Sequence, residues 1–252
     1  MIPTTGERER LPELDVEPPV RQSRVTVFFR LLLAIPHFVV LFFLGIAQFF
    51  VAIVGWFAAL FTGRLPEGIR DFLIGVLGWE TRVGMYVALT VDRYPPFSFE
   101  PRGHPVAIDV GPPTPLNRVA VFFRFILVIP AWILMGLLTS GWWSVSFIIW
   151  LIVLILGRMP APLFEATAAI GRASMRTRAY FGLMTPAYPK GWFGDPAAGP
   201  RMSATRPLVL STAAKALMVI FIVLGVASGT SQSTVNRDHN GDDATTTSSV
   251  AP

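Results

Sequence analysis

The sequence predicts an all-α integral membrane protein: two tandem repeats, each with a transmembrane helical hairpin and an interfacial amphipathic helix, then a fifth transmembrane helix. Three observations predict it. Of the 252 residues, 52% are hydrophobic and only 15% charged, against roughly a quarter charged in a typical soluble domain. The stretch Ser23-Arg24-Val25-Thr26-Val27-Phe28-Phe29-Arg30 through Ile35-Pro36 returns 94 positions later, from Asn117 and Arg118 through Arg124 to Ile129-Pro130. Each copy runs into about 25 further apolar residues, enough to enter a bilayer.

The duplication is dense. Between 14–36 and 108–130, thirteen of twenty-three aligned pairs are identical, where chance gives one or two. The register then holds without a gap through Trp56/Trp150, Gly63-Arg64/Gly157-Arg158, Arg82/Arg176, Tyr86/Tyr180 and Tyr94-Pro95/Tyr188-Pro189. It divides the chain into a disordered polar tail (1–13), a first repeat (14–107), a second repeat (108–201), a C-terminal span (202–228) and a disordered polar tail (229–252).

Within each repeat Ser23 or Asn117 is a good N-cap for the helix that follows. Val25, Phe28, Phe29 and Leu32, like Val119, Phe122, Phe123 and Ile126, fall on one helical face. Pro36 and Pro130 each remove a backbone donor, and a kink is expected there. A single helix from Leu31 to Phe61 would be about 46 Å long against a hydrocarbon core of roughly 30 Å. The second copy has a turn-like Thr139-Ser140-Gly141-Trp142-Trp143-Ser144 at its midpoint. These two facts predict a hairpin, with Arg30 and Arg124 snorkelling to the headgroups.

After Gly63-Arg64-Leu65-Pro66 or Gly157-Arg158-Met159-Pro160 comes a second helical pattern. Its apolar face, Ile69, Phe72, Leu73, Val76, Leu77, Val83, Tyr86 and Val87, is interrupted by Arg70, Asp71, Glu80 and Arg82, which predicts a helix lying in the interface. In the proline-rich linker beyond it, Phe97–Glu100 and Val106–Val110 read as short strands, with Leu14-Asp15-Val16 able to join them. Leu208–Ser228 reads as the fifth span, Lys215 snorkelling. Basic residues from Arg8 to Arg206 fall on one side and only Arg237 lies beyond. This predicts a multi-pass protein of the cell membrane with a cytoplasmic N-terminus and an extracytoplasmic C-terminal tail. No cleaved signal peptide is expected, because the first 22 residues carry charge and no short apolar core.

The motifs Arg24-Val-x-Val-Phe-Phe-Arg30-x-x-Leu-x-Ile-Pro-His37, Leu60-Phe61-Thr62-Gly63-Arg64-x-Pro66 and Arg82-Val83-x-x-Tyr86 with Asp92-Arg93-Tyr94-Pro95-Pro96-Phe97-Ser98 resemble an uncharacterised bacterial, chiefly actinobacterial, membrane family, domain of unknown function 4389. The resemblance covers about residues 14–228. It implies an integral membrane protein and brings no activity, cofactor or catalytic residue. The second copy departs from the pattern with Ala131 for His37, Pro186 for Asp92 and Lys190-Gly191-Trp192 for Pro96-Phe97-Ser98.

Chemistry is sparse. There is no cysteine, hence no disulfide or thiolate site. His37, His104 and His239 have no metal-ligand spacing, and neither a phosphate loop nor a nucleophile elbow is present. No enzyme activity and no cofactor are expected, and Asp92 reads as a turn-former. The expected spans hold no Asp or Glu, and their polar residues are His37, Gln48, Thr139, Ser140, Ser144 and Ser146, which argues against proton-coupled transport. The candidate interface residues are Arg24, Arg30, Arg118 and Arg124, with Arg82/Tyr86 and Arg176/Tyr180, where an arginine can lie on a tyrosine ring at i, i+4. Glu80 and Arg82, offset on the expected interfacial helix, read as a local ion pair or as solvated charges, with headgroup recognition the lesser alternative. The formal charge of +5, spread along the flanks of apolar runs, favours anionic lipid headgroups over nucleic acid. The expected function is a non-enzymatic membrane module docking lipid, a membrane-protein partner or a second copy. The alternative is a transporter or transporter subunit, which would need a cavity lined by Gln48 and the Thr139–Ser144 cluster.

Overall fold

The computed structural model describes residues 10–195 and 203–246, with no side chains from 230 onward. Strand β1 (Glu13–Val16) leads to a short helix α1 (Arg24–Phe28), the long α2 (Arg30–Thr62) and α3 (Glu67–Val87). Strand β2 (Val106–Asp109) then opens the second half. There the counterpart of α1 and α2 comes in four pieces, α4 (Arg118–Phe122), α5 (Arg124–Leu127), α6 (Ile129–Ser144) and α7 (Ser146–Leu156). Helices α8 (Ala161–Phe181) and α9 (Thr212–Thr246) follow.

The expected hairpins are absent. Helix α2 runs unbroken through Pro36 for 33 residues, about 50 Å. The length argument for a fold-back fails because no turn-former interrupts its middle. The second half is broken but does not turn back at the Thr139–Ser144 cluster. Ser144 Oγ donates to the Ser140 carbonyl and Ser146 Oγ to that of Trp143, and this local back-bonding competes with the helical ladder at Val145. Among the described residues three helices are long and apolar enough to cross a membrane, Arg30–Thr62, Arg124–Ser144 and Thr212–Gly229, where five spans were expected. Gly63 and Gly157 end the long helices in the left-handed conformation, φ 73° and 66°, a backbone that lacks a Cβ penalty only in glycine.

The two halves are related by a two-fold, seen in contacts that recur 94 residues apart. The indole of Trp56 donates to the Val121 carbonyl and that of Trp150 to Val27. The Leu116 amide donates to Gly63 and the Gln22 amide to Gly157. Each long helix thus meets the other half at both of its ends, running antiparallel to it. Strand β1 pairs antiparallel with β2 so that Leu14 faces Ile108, its own repeat equivalent, and the pairing maps onto itself.

Three layers stack along this relation: the long helices, then α3 crossing α8, then the strand pair with its linkers. Helix α3 packs on α2 through Gly55 against Leu65 and Ile69, and on the strand layer through Gly78 against Ile108. Helices α3 and α8 are therefore the core of the fold rather than interfacial helices. Leu73, Val76, Leu77, Ala166, Ala168 and Ala169 are among their fully buried residues. In the outer layer exposure is apolar: only 6% of the most apolar window of α2 is buried.

The β1–β2 pair matches the expected strands at Leu14–Val16 and 106–110, but Phe97–Glu100 forms none. Phe97 instead stacks on His37, ring centroids 4.1 Å apart. Asn117 caps α4, accepting from Val119 and Ala120. Ser23 makes no side-chain cap; Asp92 takes over by accepting from the Ser23 amide and the Thr26 hydroxyl. Helix α9 continues beyond Ser228 to Thr246, where a disordered tail was expected. It crosses α6 closely, Gly141 against the Phe221 carbonyl and Gly225 against that of Leu137. Residues 1–9 of the expected N-terminal tail and 247–252 of the C-terminal one lie outside the described residues.

Candidate functional site

Of the eight candidate interface residues, the two at the mouths of the long helices, Arg24 and Arg118, are exposed. Arg24 donates to the Ile155 carbonyl at the end of α7, and the side chain of Arg118 lies beside Gly63 at the end of α2. The other six are buried.

Arg30 does not reach the surface, being 2% exposed. Its Nη1 donates to the carbonyls of Tyr86 (2.9 Å) and Val91 (2.5 Å), and its Nη2 to Gln22 Oε1 (3.0 Å) and Asp92 Oδ1 (2.9 Å). Leu89, with φ 63°, makes the turn that aims these carbonyls, a conformation costing a non-glycine residue about 1–2 kcal/mol. The guanidinium repays this with four hydrogen bonds, one of them to a carboxylate. In the second half Leu183 has φ 62°, and Arg124, equally buried, donates to the Thr185 carbonyl at 2.8 Å. Snorkelling is thus replaced by an inward-facing knot.

The tyrosines serve the same knots. Arg30 lies 4.4 Å from the Tyr86 ring centroid and Arg124 3.8 Å from that of Tyr180. The expected i, i+4 partners Arg82 and Arg176 turn to the opposite layer instead. Arg82 donates to the Ser98 carbonyl, and Arg176 to those of Pro12 and Lys190. Burial pushes both guanidinium groups down to about 10, with the like charge of Arg172 adding to the effect on Arg176.

Glu80 does not pair with Arg82 either. It accepts from Arg178 of α8 at 2.7 Å, across the two-fold, while Met85 lies against Gly171. This crossing of α3 and α8 floors a cavity of about 290 Å³ walled by α6 and, near the start of α2, by Phe38. Phe38, Met135, Trp142 and Trp143 supply apolar wall, and the Thr139 hydroxyl, buried and without a hydrogen-bond partner, sits among them. Of the cavity lining that a transporter would need, Thr139, Trp142 and Trp143 of the Thr139–Ser144 cluster are present and Gln48 is not among the lining residues. Neither Gln22 nor the Glu80–Arg178 pair is legible as a site in sequence, their partners standing 67 and 98 residues away.

Neither the curated proteins nor the solved structures contain a match to this chain. A family model described as Domain of unknown function (DUF4389) matches residues 24–98 and again 118–193, taking in both arginine knots, both long helices and the crossing of α3 with α8. With more than half its length matched, in two copies 94 residues apart, the chain belongs to the DUF4389 family.

Proposed function

We propose that this chain is a non-enzymatic, membrane-embedded module that docks lipid, its two-fold axis standing along the membrane normal. The observation carrying this reading is the division of the molecule along that axis into an apolar and a charged end. On one side, Phe42, Phe43, Phe49 and Phe50 of α2 and Phe122, Ile126, Phe147 and Ile148 of α4–α7 are exposed. On the other, the strand layer carries charge: Arg10 with Asp109 at 2.9 Å and Arg206 with Glu13 at 3.3 Å. Standing the long helices across the bilayer would lay that charged layer against lipid, at about 2.5–3.5 kcal/mol per buried charge. Laying them in one leaflet keeps the charges in water and the phenylalanines in hydrocarbon.

In this arrangement α2 and its counterpart enter and leave on one membrane face, which is cytoplasmic, and α9 alone crosses. Arg24, Arg64, Arg118 and Arg158, all exposed at the ends of the long helices, face anionic headgroups there. The docking reading is favoured over transport because Gln48 stands outside the cavity, whose lining from the Thr139–Ser144 cluster is one hydroxyl and two indoles, Thr139, Trp142 and Trp143. Membranes from cells expressing the full chain test it by carbonate washing and mild-detergent purification. The protein is expected to stay with the washed membranes and to co-purify with phospholipid. Release by carbonate, or purification free of phospholipid, contradicts the reading.

A further inference from the structure

Resting on the membrane-docking reading, we infer that the cavity among α3, α6 and α8 is a binding site for one phospholipid whose head carries both a phosphate and a primary ammonium. Apolar side chains wall the cavity, Phe38 and Trp143, 46% and 52% exposed, among them. An acyl chain can enter there without leaving hydrocarbon. At its polar edge stands a single ion pair, Arg178 to Glu80, with side chains 55% and 21% exposed. A zwitterionic head substitutes for each member of that pair: its phosphate takes the planar donor fork of Arg178, and its ammonium donates to Glu80.

The charge arrangement discriminates. An anionic head with no cation leaves Glu80 facing a like charge once Arg178 has turned to the phosphate. A trimethylated ammonium has no N–H to give Glu80. Head chemistry that satisfies both side chains is therefore phosphate plus primary amine.

The full chain in mild detergent, given equimolar dioleoyl-phosphatidylethanolamine, phosphatidylglycerol and phosphatidylcholine and read by native mass spectrometry, tests this. The ethanolamine lipid is expected at about fivefold excess over each of the others, the scale of one partly exposed charge pair. Glu80→Gln should bring it level with the choline lipid, and Arg178→Gln should weaken all three. Gly84 lines the cavity, and a Cβ there meets nothing within 4 Å. Gly84→Leu should fill the space and remove the bound lipid while thermal unfolding is unchanged. Equal retention of the three lipids, preference for phosphatidylglycerol, or unaltered binding in folded Gly84→Leu would overturn the assignment. If the chain stays in washed membranes and co-purifies with phospholipid but shows no such preference, this inference fails and the docking reading stands.

Discussion

The indole nitrogen of Trp56 donates to the carbonyl of Val121 at 3.1 Å, tying the end of the first long helix to the start of the second half. Its repeat equivalent, Trp150, returns the bond to Val27 at 3.0 Å. The two contacts lock both ends of a frame formed by the long helices. They make each half incomplete without the other.

Trp56→Phe and Trp150→Phe each keep a ring and lose the N–H bond. Each is expected to cost about 1 kcal/mol, about 2–4 °C in the unfolding midpoint for a chain of this size. The double variant should lose close to the sum, because the sites lie at opposite ends of the frame. Thermal unfolding in detergent reads this. No change in either single variant would contradict the reciprocal lock.

Arg30→Leu leaves the carbonyls of Tyr86 and Val91 and the side chains of Gln22 and Asp92 without their donor. Breaking such a knot should cost about 3 kcal/mol or more, seen as a collapse of the monodisperse fraction in size-exclusion chromatography. Asp92→Asn should be milder, since the Asp92 side chain is 27% exposed and an amide still accepts from Thr26. If Arg30→Leu protein behaves as wild type, Arg30 reaches the headgroups after all.

The Ser144 and Ser228 hydroxyls lie 3.0 Å apart where α6 meets α9. In a chain without cysteine, Ser144→Cys with Ser228→Cys should form a disulfide on mild oxidation, detected by a mobility shift. Adding Gly141→Leu, whose side chain would occupy the Phe221 carbonyl, should abolish it. Cross-linking that persists with Gly141→Leu would show that α9 does not need the close approach.

His104 sits in the linker under β2, accepting from the Val106 amide at 3.1 Å. Burial, with the charges of Arg82 and Arg93 behind it, holds its pKa below the usual histidine value. The unfolded chain therefore binds a proton first as pH falls, so stability is lost as pH drops below about 6.5 toward the lower folded pKa. His104→Asn can still accept from Val106 and should flatten this part of the curve. Unfolding midpoints at pH 8 and pH 5.5 check it, and an unchanged pH dependence in the variant contradicts it.

Legibility in the sequence followed the range of the interactions. The 94-residue register foretold the duplication, and local pattern the strand segments at Leu14–Val16 and 106–110 and the cap at Asn117, because those depend on nearby residues or on the repeat itself. The hairpin fails on both of its grounds: a helix held at both ends can exceed the bilayer thickness by lying along a leaflet, and the Thr139–Ser144 cluster interrupts its helix without turning the chain back. Arg30 and Arg124 looked like surface charges because the carbonyls that hold them come from beyond Tyr86 and Tyr180, aimed by left-handed leucines that no local rule predicts. Arg82 looked like a partner for Tyr86 by its i, i+4 spacing, but α3 is buried on several sides and its side chains answer to three neighbours. The repeated Trp56/Trp150 and Val27/Val121 were visible in sequence, and their reciprocity appears only once the two-fold is drawn.

The most direct test of the central claim is the side of the membrane on which the two ends of α2 lie. Val20 is 58% exposed, and Gly68 has open space where a Cβ would be. Single cysteines at these positions flank the helix. With a membrane-impermeant maleimide on intact cells, the account predicts no labelling at either position, and equal labelling at both after permeabilisation. Labelling of one and not the other on intact cells would mean that α2 crosses the bilayer, and the two-fold axis could not then stand along the membrane normal.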